Sequence, residues 1–160
     1  MGKADRLAAF EGAFRRFVDA VRSIPDGRIG ETMERDTPQR RLAALTRHHR
    51  VCREACETLR ANKAPSVFTE SSPVEALPAA DIEFQLKRSR AELLAEATAS
   101  KDELTRYLDT LDPEEWTADR GVRHPEGGPA TIRREVESLT RHYLDAADEI
   151  LLWLETPERS

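Results

Sequence analysis

Residues 131–155 read TIRREVESLTRHYLDAADEILLWLE, and in them Ile132, Val136, Leu139, Tyr143, Ala146, Ile150 and Trp153 recur at alternating steps of four and three. That rhythm is the period of one face of an α-helix, and it excludes a strand, whose faces alternate every second residue. Thr131 supplies an oxygen that can cap the free amides of the first turn. The stripe is too long to be covered by a loop and has to be buried against other elements.

Three more stripes of the same kind lie upstream. Leu7, Phe10, Phe14, Phe17, Val21 and Ile24 define a helix over about 4–24, closed by Pro25-Asp26-Gly27. Leu42, Leu45, His49, Cys52, Cys56 and Leu59 define a second over 37–63, opened by Asp36-Thr37-Pro38. Ile82, Leu86, Leu93, Ala97, Ser100, Leu104, Tyr107 and Leu111 define a third over 81–111, with Asp81 as its cap. The fourth is the helix quoted above, over 131–155. Between the second and third, APSVFTESSPVEALPAA carries three prolines and no lysine or arginine. It reads as a crossover loop spanning the end of a bundle to reach an antiparallel partner. Asp112-Pro113-Glu114-Glu115-Trp116 is a capped turn with the indole tucked against the bundle end. The expectation is an all-α fold: one four-helix bundle domain over residues 1–160, with a long crossover between helices two and three.

Composition narrows the partners. Hydrophobic residues make up 39% and charged residues 34%, the balance of a helical protein with densely charged outer faces. Net charge is −5 and arginines alternate with acids, so no basic face exists to neutralise a nucleic-acid backbone. No stretch of about 18 apolar residues is present to span a membrane, and no signal-peptide core opens the chain. The reading is cytoplasmic, with Cys52 and Cys56 as thiols one turn apart on a helix.

Leu45-Thr46-Arg47-His48 is repeated as Leu139-Thr140-Arg141-His142. If the second and fourth helices face one another, His48 and His142 can approach one divalent ion such as Zn or Ni. His49, Cys52 or Asp145 are further candidate ligands. His49 and Cys56 are two turns apart, about 10 Å, so only His48 with Cys52, His49 with Cys52, or Cys52 with Cys56 can act together within that helix. Against this stands a set of imidazoles and small thiols simply filling apolar stripes. Ser100 and Ser138 have no acid and histidine placed by spacing, His124 in RHPEGGP reads as a loop-packing residue, and Tyr143 and Trp153 continue the core stripe.

From about Arg90 onward the order is a Leu-rich helix, LDPEEW, a loop with RHPEGGPATIRREV, and a helix with a central histidine. In this the chain resembles the DinB/YfiT-like superfamily of four-helix proteins. The resemblance covers about seventy residues by motif and the first half by helix order. It implies a homodimer and a divalent metal held by three histidines, one on helix two and two spaced by four on helix four. It also implies, for some relatives, thiol-dependent transferase chemistry with a low-molecular-weight thiol. Carried over by position, His142 matches the first histidine of the spaced pair and Ala146 stands at the second. Ala44 stands at the helix-two position, with His48 one turn on. The expected function is therefore a non-catalytic, ligand-binding bundle with no cofactor. The alternative is a metal-dependent thiol transferase or hydrolase with a variant site between helices two and four. Leu144, Leu151 and Leu152 remain for association.

Overall fold

The structure is a computed structural model, describing residues 2–34, 36–68, 83 and 86–156. Among the described residues five α-helices have both ends defined: α1 (Lys3–Arg22), α2 (Pro38–Arg60), α3 (Arg90–Asp109), a short α4 (Pro113–Thr117) and α5 (Ile132–Glu155). Among the described residues there is no strand, only one isolated bridge between Arg123 and Pro129. None of the described helices is long and apolar enough to cross a membrane.

Helices α2, α3 and α5 start where the sequence offers a hydroxyl oxygen to the orphan amides. Thr37 Oγ1 accepts from Arg40 N–H at 3.1 Å and Thr131 Oγ1 from Arg134 N–H at 3.1 Å. The third helix departs from the expectation. Lys87, Arg88 and Ser89 are not helical; Ser89 Oγ accepts from Glu92 N–H at 3.1 Å, while Glu92 accepts from Ser89 N–H at 3.2 Å. This reciprocal Ser-x-x-Glu cap starts the helix at Arg90 and breaks any continuous run from residue 81. Leu86, expected in the stripe, is correspondingly exposed. The proposed cap Asp81 and most of the crossover loop lie outside the described residues.

Cross-helix contacts set the directions. Arg6 pairs with Glu137 and Arg16 with Asp148, so α1 and α5 run parallel. Arg41 pairs with Glu149 and His48 touches His142, so α2 and α5 run antiparallel. Gln39 meets the carbonyls of Leu86 and Arg88, His49 meets Ser100, and Arg53 lies over Tyr107; rising numbers on both sides make α2 and α3 parallel. The antiparallel neighbour expected for α3 is α1: Arg90 donates to the carbonyl of Val21 in its last turn and to that of Ile24 just beyond it.

The stripes converge on one core. Phe10, Phe14 and Phe17 of α1 surround Tyr143 of α5, with centroid separations of 5.5, 5.4 and 6.4 Å. Trp116 closes one end, fully buried, as expected for the turn after α3. Lys101 is the one buried lysine among the described residues; Glu11 and Asp102, each at 2.7 Å, neutralise it.

Candidate functional site on the α2–α5 seam

Where α2 and α5 run antiparallel, polar side chains line the contact in sequence. The seam begins at the Arg41–Glu149 ion pair, 2.8 Å. Next come Ala44 and Ala146, both buried, and then His48 and His142, whose rings lie 4.5 Å apart and inclined by 34°. The doubled LTRH therefore does bring its two histidines together, as antiparallel helices carrying them at matching levels require. The spacing is also that of two imidazoles on one ion: metal–nitrogen bonds of about 2.0–2.1 Å at right to tetrahedral angles place ring centres about 4.5–5.2 Å apart. His48 Nε2 is buried and has no hydrogen-bond partner among the described residues. Burial first, then the neighbouring His142, Arg47 and Arg41, lower its pKa to about 3, so the ring is neutral at physiological pH.

The further ligand candidates are placed elsewhere. Asp145 is exposed on the outer face of α5. Cys52 shares a hydrogen bond with Cys56, and this, with complete burial, pushes its thiol well up, away from the thiolate a metal needs. His49 has both ring nitrogens engaged, Nδ1 with Ser100 Oγ at 2.6 Å and Nε2 with Tyr143 Oη. Among the described residues no group of three or more His, Cys, Asp or Glu side chains is arranged to hold a metal ion. The donor set thus stops at two imidazoles, one or two short of a resident zinc site.

The His49 contacts correct the reading of Ser100, which does have a histidine partner. Tyr143 is ringed by phenylalanines and has His49 Nε2 as the acceptor for its hydroxyl, so the imidazole proton sits on Nδ1 and is given to Ser100. Ser100 in turn donates to the Ala97 carbonyl at 3.1 Å. With every proton directed, the relay is a buried structural fastening of α2, α3 and α5, and His49 has no lone pair left to activate the serine. Burial, with His48 and Lys101 nearby, holds His49 at about 3 as well. All three residues were legible as polar groups on apolar stripes, which can be buried only if they satisfy one another.

At the far end of the seam, His124 and Glu135 meet, with Nε2 3.8 Å from Oε1. Spacing alone gave no sign of this, because a glycine turn folds residue 124 back onto α5. His124 N–H bonds Gly128 O, Gly127 N–H bonds His124 O, and both glycines hold positive φ.

Neither a protein-family model nor a curated protein matches the chain. Solved structures do. A structural-genomics protein of Streptococcus pneumoniae superposes with a TM-score of 0.71 at 16% identity, over 97% of this chain and 91% of that one. An uncharacterised protein of Escherichia coli UTI89 gives 0.67 at 13% identity, over 96% and 93%. An uncharacterised protein of Clostridium difficile 630 gives 0.69 at 12% identity, over 99% and 98%. The chain shares a helical fold with all three over nearly their full lengths.

Proposed function

We propose that the chain is a DinB/YfiT-like four-helix bundle that binds a small molecule on the α2–α5 seam and has lost the superfamily's metal triad. The observation that carries this reading is the His48–His142 pair with buried alanines, Ala44 and Ala146, where the resemblance places the other ligands. The parallel course of α2 and α3 supports the crossover, because two parallel helices of about 30 Å or more cannot be joined by a tight turn. A small thiol suits the neutral, buried His48 imidazole, with His142 beside it, as hydrogen-bonding partner. A homodimer through the outer face of α5, where Leu152 is 68% exposed beside Leu151, completes the proposal.

A second reading, a metal-dependent thiol transferase or hydrolase, is favoured by the two-imidazole spacing and the orphaned His48 Nε2. Elemental analysis of protein purified without chelator separates the two. Well under one metal per chain, with small thiols shifting the His48 and His142 ring resonances in NMR, supports the ligand-binding reading. A stoichiometric metal lost in both His48→Ala and His142→Ala would overturn it.

A further inference from the structure

Among the described residues Glu135 has no ion pair with an arginine or lysine, and only Arg134 acts on it from a distance. The Glu135 Oε1 is buried and has no hydrogen-bond partner among the described residues, and, unlike the equally buried Oε1 of Glu137, it has no arginine ion pair either. The arginines beside it are engaged elsewhere. Arg133 pairs with Glu137 at 3.1 Å, and Arg134 donates to Gly127 O at 2.5 Å and lies 4.0 Å from Glu126. What faces Glu135 from the loop is the His124 imidazole. Glu126 N–H donates to His124 Nδ1 at 3.1 Å, which leaves the ring proton on Nε2, the nitrogen directed at Glu135 Oε1. Phe68 packs edge-on against the ring at 5.0 Å and holds its plane. At 3.8 Å the imidazole–carboxyl contact is poised, longer than a formed hydrogen bond. From α2 the neighbouring titratable group is Cys52, which stays a neutral thiol.

We propose that Glu135 is a proton-exchanging carboxyl, with His124 as its positioning residue, serving small carbon or nitrogen acids that reach the loop end of the α2–α5 seam. In the step, a carboxylate oxygen takes the proton of a C–H or N–H bond and the bonding pair stays on the ligand. The carboxyl then returns the proton to the product or to water. His124 Nε2–H closes on Oε1 and so aligns the other carboxylate oxygen to take the proton. Burial, which raises the Glu135 pKa to about 6, gives a stronger base than a surface carboxylate that is still ionised at neutral pH. The side chain keeps 14% exposure, an edge by which a ligand can reach it. The inference stands on the His124–Glu135 geometry and does not depend on the His48–His142 reading.

The probe is nitrobenzisoxazole, whose ring opens in one step when a base removes its C–H proton. The C–H pair becomes part of a nitrile, the N–O bond breaks, and a coloured phenolate leaves. Rates are measured with the full chain from about pH 5 to pH 8, spanning the range in which a raised carboxyl ionises. The expected result is a rate rising with an apparent pKa near 6, at least about tenfold lower in Glu135→Gln, with the exposed control Glu114→Gln unchanged. His124→Asn should displace the midpoint of the profile, a change that a merely structural histidine would not produce. Thermal melts establish that each variant is folded, and the carbon-13 shift of the Glu135 carboxyl reports its titration directly. No ring opening above free acetate, or equal rates in Glu135→Gln, overturns the proposal.

Discussion

Acid should unfold this protein through two histidines before its carboxylates matter. His48 and His49 each titrate at about 3 when folded, against 6.5 for an ordinary imidazole. Because the folded pKa is depressed for a base, the unfolded chain takes up protons that the folded chain refuses. The stability is present above about pH 6.5 and is lost as pH falls towards 3. Each withheld proton costs about 1.4 kcal/mol per pH unit, so two histidines over two units, from pH 6.5 to 4.5, remove about 5 kcal/mol. Glu135 acts in the opposite sense: its pKa is raised from 4.5 to about 6, so acidification over that interval restores about 2 kcal/mol. The net loss is about 3 kcal/mol, a large share of the 5–15 kcal/mol typical of a domain. Urea unfolding monitored by far-ultraviolet circular dichroism at half-unit pH steps measures it. His48→Gln should remove close to half of the histidine slope. A stability that stays level from pH 6.5 to 4.5, or a slope indifferent to His48→Gln, would refute the assignment of neutral buried imidazoles.

Three further outcomes are expected. Glu135→Gln should stabilise the chain by up to about 2 kcal/mol at pH 8 and by only about 0.2 kcal/mol at pH 4, where the carboxyl is largely neutral in both states; chemical denaturation at the two pH values tests this. Tyr143→Phe removes the donor to His49 Nε2 and should cost about 1–3 kcal/mol, read from the urea midpoint, because the imidazole stays buried with one nitrogen unsatisfied. Ala146→His adds an imidazole one turn from His142 and should create a three-histidine zinc site, detected by calorimetric titration and abolished when His142→Ala is added; no gain in zinc affinity would show that the pair cannot close on an ion.

The helices could be read from the chain because a face repeating every three to four residues is a local property, fixed by backbone geometry before any packing occurs. The stripes of α1, α2 and α5 are buried nearly residue for residue, from Phe10 through Leu59 to Ile150. At the start of the third helix apolar periodicity alone runs on across Ser89, but the reciprocal cap between Ser89 and Glu92 is a stronger local signal than Leu86 and sets the first turn at Arg90. The repeated LTRH allows His48 and His142 to meet only if helices two and four face one another, and spacing alone leaves that, and their direction, open. Direction is decided by which faces bury one another across the whole bundle, and α2 and α3 turned out parallel for that reason. The His49–Ser100–Tyr143 relay and the Glu135–His124 pair depend on side chains separated by 51, 94 and 11 positions in the sequence reaching one point in space. Sequence determined which residues must be inside; tertiary packing decided which buried polar groups found partners, because a hydrogen bond or a desolvated charge depends on distances of a few ångströms that no periodicity encodes.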